Sequence, residues 1–309
     1  MRTKRLGGLS RLPILLGGLL MTYSQPMAAP AHQKSGDEAA QLFAYDRSAP
    51  FDLREESSRE QDGITVKDVS YAAYVPQRGR VKAYIIKPSG KGSFAGVVFF
   101  HWYGSPNGNR DQFVDEAVAL AKQGVVSLLI QGYFPWSQPP TDGATDRRRV
   151  IDQTIEVRRA LDLLLSQPGV DRKRLAYVGH DYGAMYGAIV AAVDKRIRAY
   201  VLVAGIGSFS DWSLKYWLEK TTDDGKKAYR QTMRAVDPIT HIPRAKPAKL
   251  FFQFANSDKY ITRAEATALY NAAGNPKEIK WYDAEHYLNV EAARKDRVEW
   301  LRGQLRLGN

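Results

Sequence analysis

The chain has 309 residues, 44% of them hydrophobic and 25% charged, which is long and apolar enough to bury one substantial core and excludes a disordered or collagen-like chain. Its 45 Lys and Arg against 33 Asp and Glu give a formal net charge of +12, a balance that raises nucleic acid or an anionic surface as a partner. Cysteine is absent, so a disulfide, a Cys-ligated zinc and a thiol nucleophile are all excluded.

The N-terminus accounts for part of that charge. Arg2, Lys4, Arg5 and Arg11 come first, then the apolar run 12–21, then the small-residue stretch Met27-Ala28-Ala29-Pro30-Ala31. Basic, apolar and small segments in this order spell an export signal, and the apolar run is about half of the roughly 20 residues that a spanning helix needs. We expect a signal peptide over 1–31, cleaved after Ala31, and an exported protein, periplasmic or secreted, with no stable membrane insertion. Cleavage removes four basic residues and no acid, lowering the net charge from +12 to +8. Segment 32–62 is polar, with few apolar anchors, and reads as a loosely ordered entry to a domain over 63–309.

From there, β-branched and aromatic runs predict eight strands, at 64–75, 81–87, 94–101, 125–131, 174–179, 199–204, 249–255 and 278–283. Pro76-Gln77-Arg78-Gly79 predicts a turn joining the first two as an antiparallel hairpin. From the third strand onward, helical patterns alternate with the runs, at 111–123, 147–166, 182–193, 263–273 and 290–305. Continuous apolar strands such as Val97-Val98-Phe99-Phe100 require cover on both faces, so the expected fold is α/β, a mostly parallel eight-stranded sheet with helices on both faces. More than forty residues separate the strand ending at 204 from the one beginning at 249, and they carry Trp212, Tyr216, Trp217 and Tyr229. This insertion, 206–247, is expected to be a small helical lid whose Trp212, Tyr216 and Tyr229 wall a substrate pocket.

The chemistry concentrates at the end of the fifth run. Gly179-His180-Asp181-Tyr182-Gly183 follows a buried strand and opens an Ala/Gly-rich helix, the setting of a nucleophile elbow, whose glycines permit the tight turn that thrusts the central side chain outward. An acid, Asp258, follows the seventh strand, and a histidine, His286, follows the eighth. Catalytic groups of parallel sheets gather at the strands' carboxyl ends, so Asp181, Asp258 and His286 can converge, with Asp211 as a rival orienting acid. The backbone N–H of Tyr182 is expected to form half of an oxyanion hole, and Trp102 or Tyr103 the other half. The remaining histidines offer no close His/carboxylate pairing, so no metal or cofactor is expected. His101 and His180 read as structural, and His241 as a surface or turn residue. Arg147-Arg148-Arg149 and Arg158-Arg159 read as a solvated helix face, and basic residues scattered among acids argue against nucleic acid. The expected partner is a small molecule.

Taken together, Phe99-Phe100-His101-Trp102-Tyr103-Gly104, Pro168-Gly169-Val170-Asp171-Arg172-Lys173-Arg174-Leu175, Asp194-Lys195-Arg196-Ile197 and the loops of Asp258 and His286 resemble the α/β-hydrolase superfamily over about 64–305. In overall style they resemble its dienelactone-hydrolase-like members. Relatives of that style carry Ser or Cys where this chain has Asp181. Gly-His-Asp-x-Gly is instead similar to the elbow of haloalkane dehalogenases and epoxide hydrolases, and that resemblance implies a carboxylate nucleophile attacking an epoxide or alkyl halide. The overall style implies an ester or lactone. A carboxylate is ionised near neutral pH without a base, and His286 oriented by Asp258 would then activate water. The competing expectation is a catalytically silent binding protein of the same fold in which Asp181 replaces a lost serine.

Overall fold

The computed structural model describes residues 40–104 and 108–308; the expected signal peptide lies outside the described residues. Nine strands form one mixed sheet in the order β1-β2-β3-β5-β4-β6-β7-β8-β9. They are β1 (Arg54–Gln61), β2 (Ile64–Ala72), β3 (Arg80–Pro88), β4 (Phe94–Phe100), β5 (Val125–Ile130), β6 (Val170–His180), β7 (Ala199–Val203), β8 (Lys249–Ala255) and β9 (Lys277–Tyr282). β1, β2, β3 and β5 pair antiparallel in succession, and every pair from β5–β4 to β8–β9 is parallel. The hairpin expected at Pro76 is present: its turn closes on Gly79 at φ 70°, a backbone state that glycine adopts without strain.

The helices are α1 (Val114–Ala121), α2 (Gly143–Leu165), α3 (Tyr182–Val193), α4 (Phe209–Tyr216), α5 (Asp223–Met233), α6 (Pro238–His241), α7 (Arg263–Ala272) and α8 (Glu291–Leu305). α1 packs with α8, and α2 packs with α3 and α5, on opposite sides of the sheet. Every residue of β5 and β7 is buried, as two-sided cover demands. α4, α5 and α6 all lie in the connection between β7 and β8.

The count of eight strands is corrected to nine. β1 comes from the segment read as loosely ordered, and all eight of its residues are exposed, so it carries no apolar alternation by which a strand could be recognised. Polar contacts hold it instead: Lys67 Nζ lies 2.6 Å from Glu55, and Ser70 Oγ donates to Glu56 at 2.6 Å. A charged edge strand also discourages pairing with another chain. Just upstream, Phe43 is fully buried and Tyr45 donates to Asp162 at 2.6 Å, so this stretch is docked on α2.

Arg159 is likewise not part of a solvated face. It is 2% exposed and donates to the carbonyls of Ala49, Pro50 and Ala72, where carbonyl dipoles replace the water that its guanidinium loses. His241 is also buried. Its Nε2–H donates to Ala235 O at 2.8 Å while Nδ1 accepts from Arg244, and burial lowers its pKa to about 4.

Candidate functional site

β6 runs to His180, and α3 begins at Tyr182. Asp181 makes the corner at φ 57°, ψ −116°, a state an L-residue holds only when its surroundings impose it. Here they do. A Cβ on Gly179 would lie 2.3 Å from Gly183 O, and one on Gly183 would lie 2.2 Å from Phe100 O, so glycine is required at both positions for α3 to approach the end of β4 this closely.

The corner places Asp181 over the sheet's carboxyl edge, 1% exposed. Its Oδ2 accepts the Tyr103 N–H at 2.9 Å, while Oδ1 has no partner among the described residues. Burial pushes the Asp181 carboxyl up to about 7, against the opposing pull of His286 and of the amides of Tyr103 and, more weakly, Tyr182. Of the two residues expected to supply the second amide, Tyr103 faces the Asp181 carboxylate with its N–H, whereas the Trp102 amide donates to Gln112 Oε1 at 2.9 Å.

His286 Nδ1 lies 2.8 Å from Asp258 Oδ2. Asp258 also accepts the N–H groups of Tyr260 and Ile261 at 2.8 and 2.9 Å through Oδ1, so the carboxylate is held charged. Burial would raise its pKa, but the hydrogen bond and charge of His286 and these two amides lower it. An ionised Asp258 can only accept, which puts the proton on His286 Nδ1. Burial would lower the His286 pKa, yet Asp258 and the charge of Asp181 raise it. Asp211, the rival acid, is exposed and paired with Arg230 at 2.7 Å; Asp258 is the acid on His286.

His180 and His101 are buried connectors. The His286 carbonyl can only accept, so His180 Nε2 donates to it, at 3.0 Å, and His180 Nδ1 accepts from Gln112 Nε2 at 2.6 Å. Gln112, with its Oε1 on Trp102 N, therefore ties together the loop after β4, the elbow and the His286 loop. His101 Nε2 accepts the Gly132 N–H at 2.9 Å, which leaves Nδ1 to donate to Trp102 O at 2.8 Å. Burial depresses both pKa values, that of His101 to about 3, and the rings stay neutral.

Asp181, His286, Trp102, Tyr103, Tyr182 and Trp212 line one cavity of about 360 Å³. Two buried donors on its wall, Tyr182 Oη–H and Trp212 Nε1–H, have no partner among the described residues. Tyr216 also lines it, but its hydroxyl is engaged with Tyr260 O at 3.2 Å. The expectation for Tyr229 is corrected: its hydroxyl donates to Asp146 at 2.7 Å, pinning α5 to α2, and the residue does not line the cavity. A groove of about 700 Å³ between α1 and α8 shares Trp102 and Tyr287 with this cavity but contains neither Asp181 nor His286. Sequence reasoning missed Tyr260 and Tyr287 as wall residues, although they flank Asp258 and His286, and missed Gln112, which no motif marks.

No protein-family model matches the chain. It is 24% identical over 141 residues to acyl-coenzyme A amino acid N-acyltransferase 2 of Rattus norvegicus, a match that covers 45% of this chain but only 31% of that protein. Among solved structures, an acetyl xylan esterase from Paenibacillus sp. R4 superposes with a TM-score of 0.72 at 19% identity, covering 91% of this chain and 96% of that one. Acetyl xylan esterase 1 from a Thermoanaerobacterium species gives 0.68 at 17% identity, with 90% and 93% covered. A protein assigned as a dienelactone hydrolase from Klebsiella pneumoniae gives 0.57 at 17% identity, with 79% and 99% covered. The chain has the α/β-hydrolase fold, and its likeness extends to a dienelactone-hydrolase-type protein.

The Gln112 link is open to test by denaturation. Gln112→Leu leaves the Trp102 amide and His180 Nδ1 without partners and is expected to destabilise the fold by about 2 kcal/mol; an unchanged unfolding midpoint would contradict the link.

Proposed function

We propose that the protein is an exported hydrolase in which Asp181 is the nucleophile, His286 the base that activates water and Asp258 the acid that orients it, acting on an epoxide or alkyl halide. The observation that carries this reading is the division of labour on Asp181. One oxygen is held by a backbone amide, and the other has no partner among the described residues, on a side chain that lines the cavity.

Free Oδ1 attacks a saturated carbon, forming a C–O ester bond as the carbon–halogen or epoxide C–O bond breaks. The departing electron pair goes to halide or alkoxide; of the residues lining the cavity, Trp212 and Tyr182 carry donors, Nε1–H and O–H, that have no partner among the described residues. An alkoxide takes the Tyr182 proton. His286 then removes a proton from water, and the hydroxide adds to Asp181 Cγ. The oxyanion that develops on Oδ2 is met by the Tyr103 N–H already bonded there. Collapse expels the alkoxide, which takes the proton held by His286, and leaves Asp181 as the acid; its carboxyl proton then passes to the Tyr182 phenolate after epoxide opening, or to solvent after halide displacement, which restores the carboxylate. Attack by Asp181 on an ester or lactone would instead give an anhydride, a high-energy intermediate, which ranks the acyl substrates below the saturated ones.

Export rests on the basic, apolar and small segments of 1–31. Expressed with its own leader in a Gram-negative host, the exported chain should begin at His32 by N-terminal sequencing; a chain retaining Met1 in the cytosol would overturn that part.

His286→Gln should halt the reaction at the ester, and the elbow peptide should gain the mass of the alkyl group after exposure to a panel of halides and epoxides. Absence of any adduct, with no turnover of esters, epoxides or halides by the parent protein, would favour a silent binding protein. The pH profile gives a second test. Attack needs Asp181 ionised, and burial has raised its pKa to about 7; water activation needs His286 neutral, and its pKa is raised as well. Both steps require proton loss, so kcat/KM should climb between about pH 6 and 8. A flat or falling profile in that window would count against the assignment.

A further inference from the structure

The mouth of the cavity concentrates aromatic surface. Of the six large hydrophobic side chains exposed among the described residues, four line this one cavity: Tyr103, Tyr216, Tyr260 and Tyr287, at 38–43% exposure. Exposed aromatic surface gathered at one opening marks a recognition site. Adjoining walls are steeply inclined rather than parallel, from 62° for Tyr216 and Tyr260 and 63° for Tyr103 and Trp217 to 84° for Trp102 and Tyr287, 85° for Tyr216 and Trp217, and 87° for Trp212 and Tyr216. Planes joined this way form the corners of a box, which suits a rounded group, whereas a flat ring calls for parallel walls.

Charge points the same way. Aromatic faces are the negative side of the ring quadrupole and attract cations, most strongly where water is excluded. The charged groups lining the cavity are Asp181 and His286, and His286 is paired with Asp258 at 2.8 Å. When ionised, Asp181 is therefore the uncompensated charge of the box, and its Oδ1 is buried without a partner among the described residues, a state that costs free energy until a counter-charge approaches. At the rim, Lys259 is paired with Glu285 at 3.2 Å. Lys215 lies 5.0 Å from the Tyr216 ring centre, so a cation already rests on one of these rings.

We propose that the aromatic box above Asp181 binds a quaternary ammonium group, making the ligand a small molecule with a trimethylammonium-type head. That this ligand is also the substrate rests on the hydrolase reading above; its binding does not. The bound head group lies among the rings and balances the Asp181 charge through space, which leaves Oδ1 open to the rest of the molecule.

Choline and its uncharged isostere 3,3-dimethyl-1-butanol separate shape from charge. Calorimetric titration of the whole protein should show choline binding at least tenfold tighter. Trp217→Leu and Tyr216→Leu, each checked for an unchanged melting temperature, should weaken choline at least fivefold and the isostere less than twofold. Equal affinity for the two, or binding of neither, overturns the proposal. Turnover of glycidyltrimethylammonium against the epoxide carrying a tert-butyl group in place of the ammonium then tests the hydrolase reading separately. Choline binding without turnover of either epoxide, or of the matching pair of alkyl chlorides, keeps the box and removes the hydrolase, whereas turnover of a neutral member of either pair without choline binding does the reverse.

Discussion

The carboxyl edge of the sheet is organised by one close approach, that of the first turn of α3 to the end of β4, where Gly183 lies too near Phe100 O to carry a side chain. With the helix this close, the residue between β6 and α3 has no room for an ordinary backbone conformation, and Asp181 sits at φ 57°. The strain is held in place by neighbours on both sides: the Asp181 N–H donates to Val203 O at 2.8 Å, and the Asp181 carbonyl accepts from Met185 N at 3.0 Å. The side chain is thereby fixed under the aromatic walls, beside the loop that carries Tyr103.

Burial then acts differently on the histidines around it. Among the described residues, His101, His180 and His241 lose basicity on burial and serve as hydrogen-bond connectors with fixed tautomers. His286 alone gains basicity, because Asp258 sits on its Nδ1 and Asp181 lies near enough to act through its charge. One carboxylate partner separates a base from a strut. The struts matter to the base all the same, since His180 holds the His286 backbone and Gln112 holds His180.

What the amino-acid sequence disclosed follows from what leaves a local trace. The eight strands with apolar runs, the hairpin at Pro76 and the elbow at Asp181 were legible because burial on both faces and a tight turn each impose a composition. β1 was not, because its eight residues REESSREQ pair through an edge and bury nothing. Arg159 and His241 resemble surface residues by type, and only tertiary packing shows that carbonyls enclose the first and that an arginine and a carbonyl pin the second. Asp258 could be separated from Asp211 only in three dimensions, since both follow strands. Tyr229 was misplaced for a related reason: an aromatic residue in an insertion can face the cavity or the body of the domain, and its hydroxyl found Asp146.

The hydrogen bond from Tyr103 N–H to Asp181 Oδ2 has a consequence for what the scaffold excludes. In acyl chemistry an amide at this position would cradle the oxygen of an incoming carbonyl. Here that berth is taken before any substrate arrives, by the protein's own side chain. A carbonyl oxygen of a ligand reaches this amide only by displacing Asp181 Oδ2, a charged acceptor with the stronger hold on the donor.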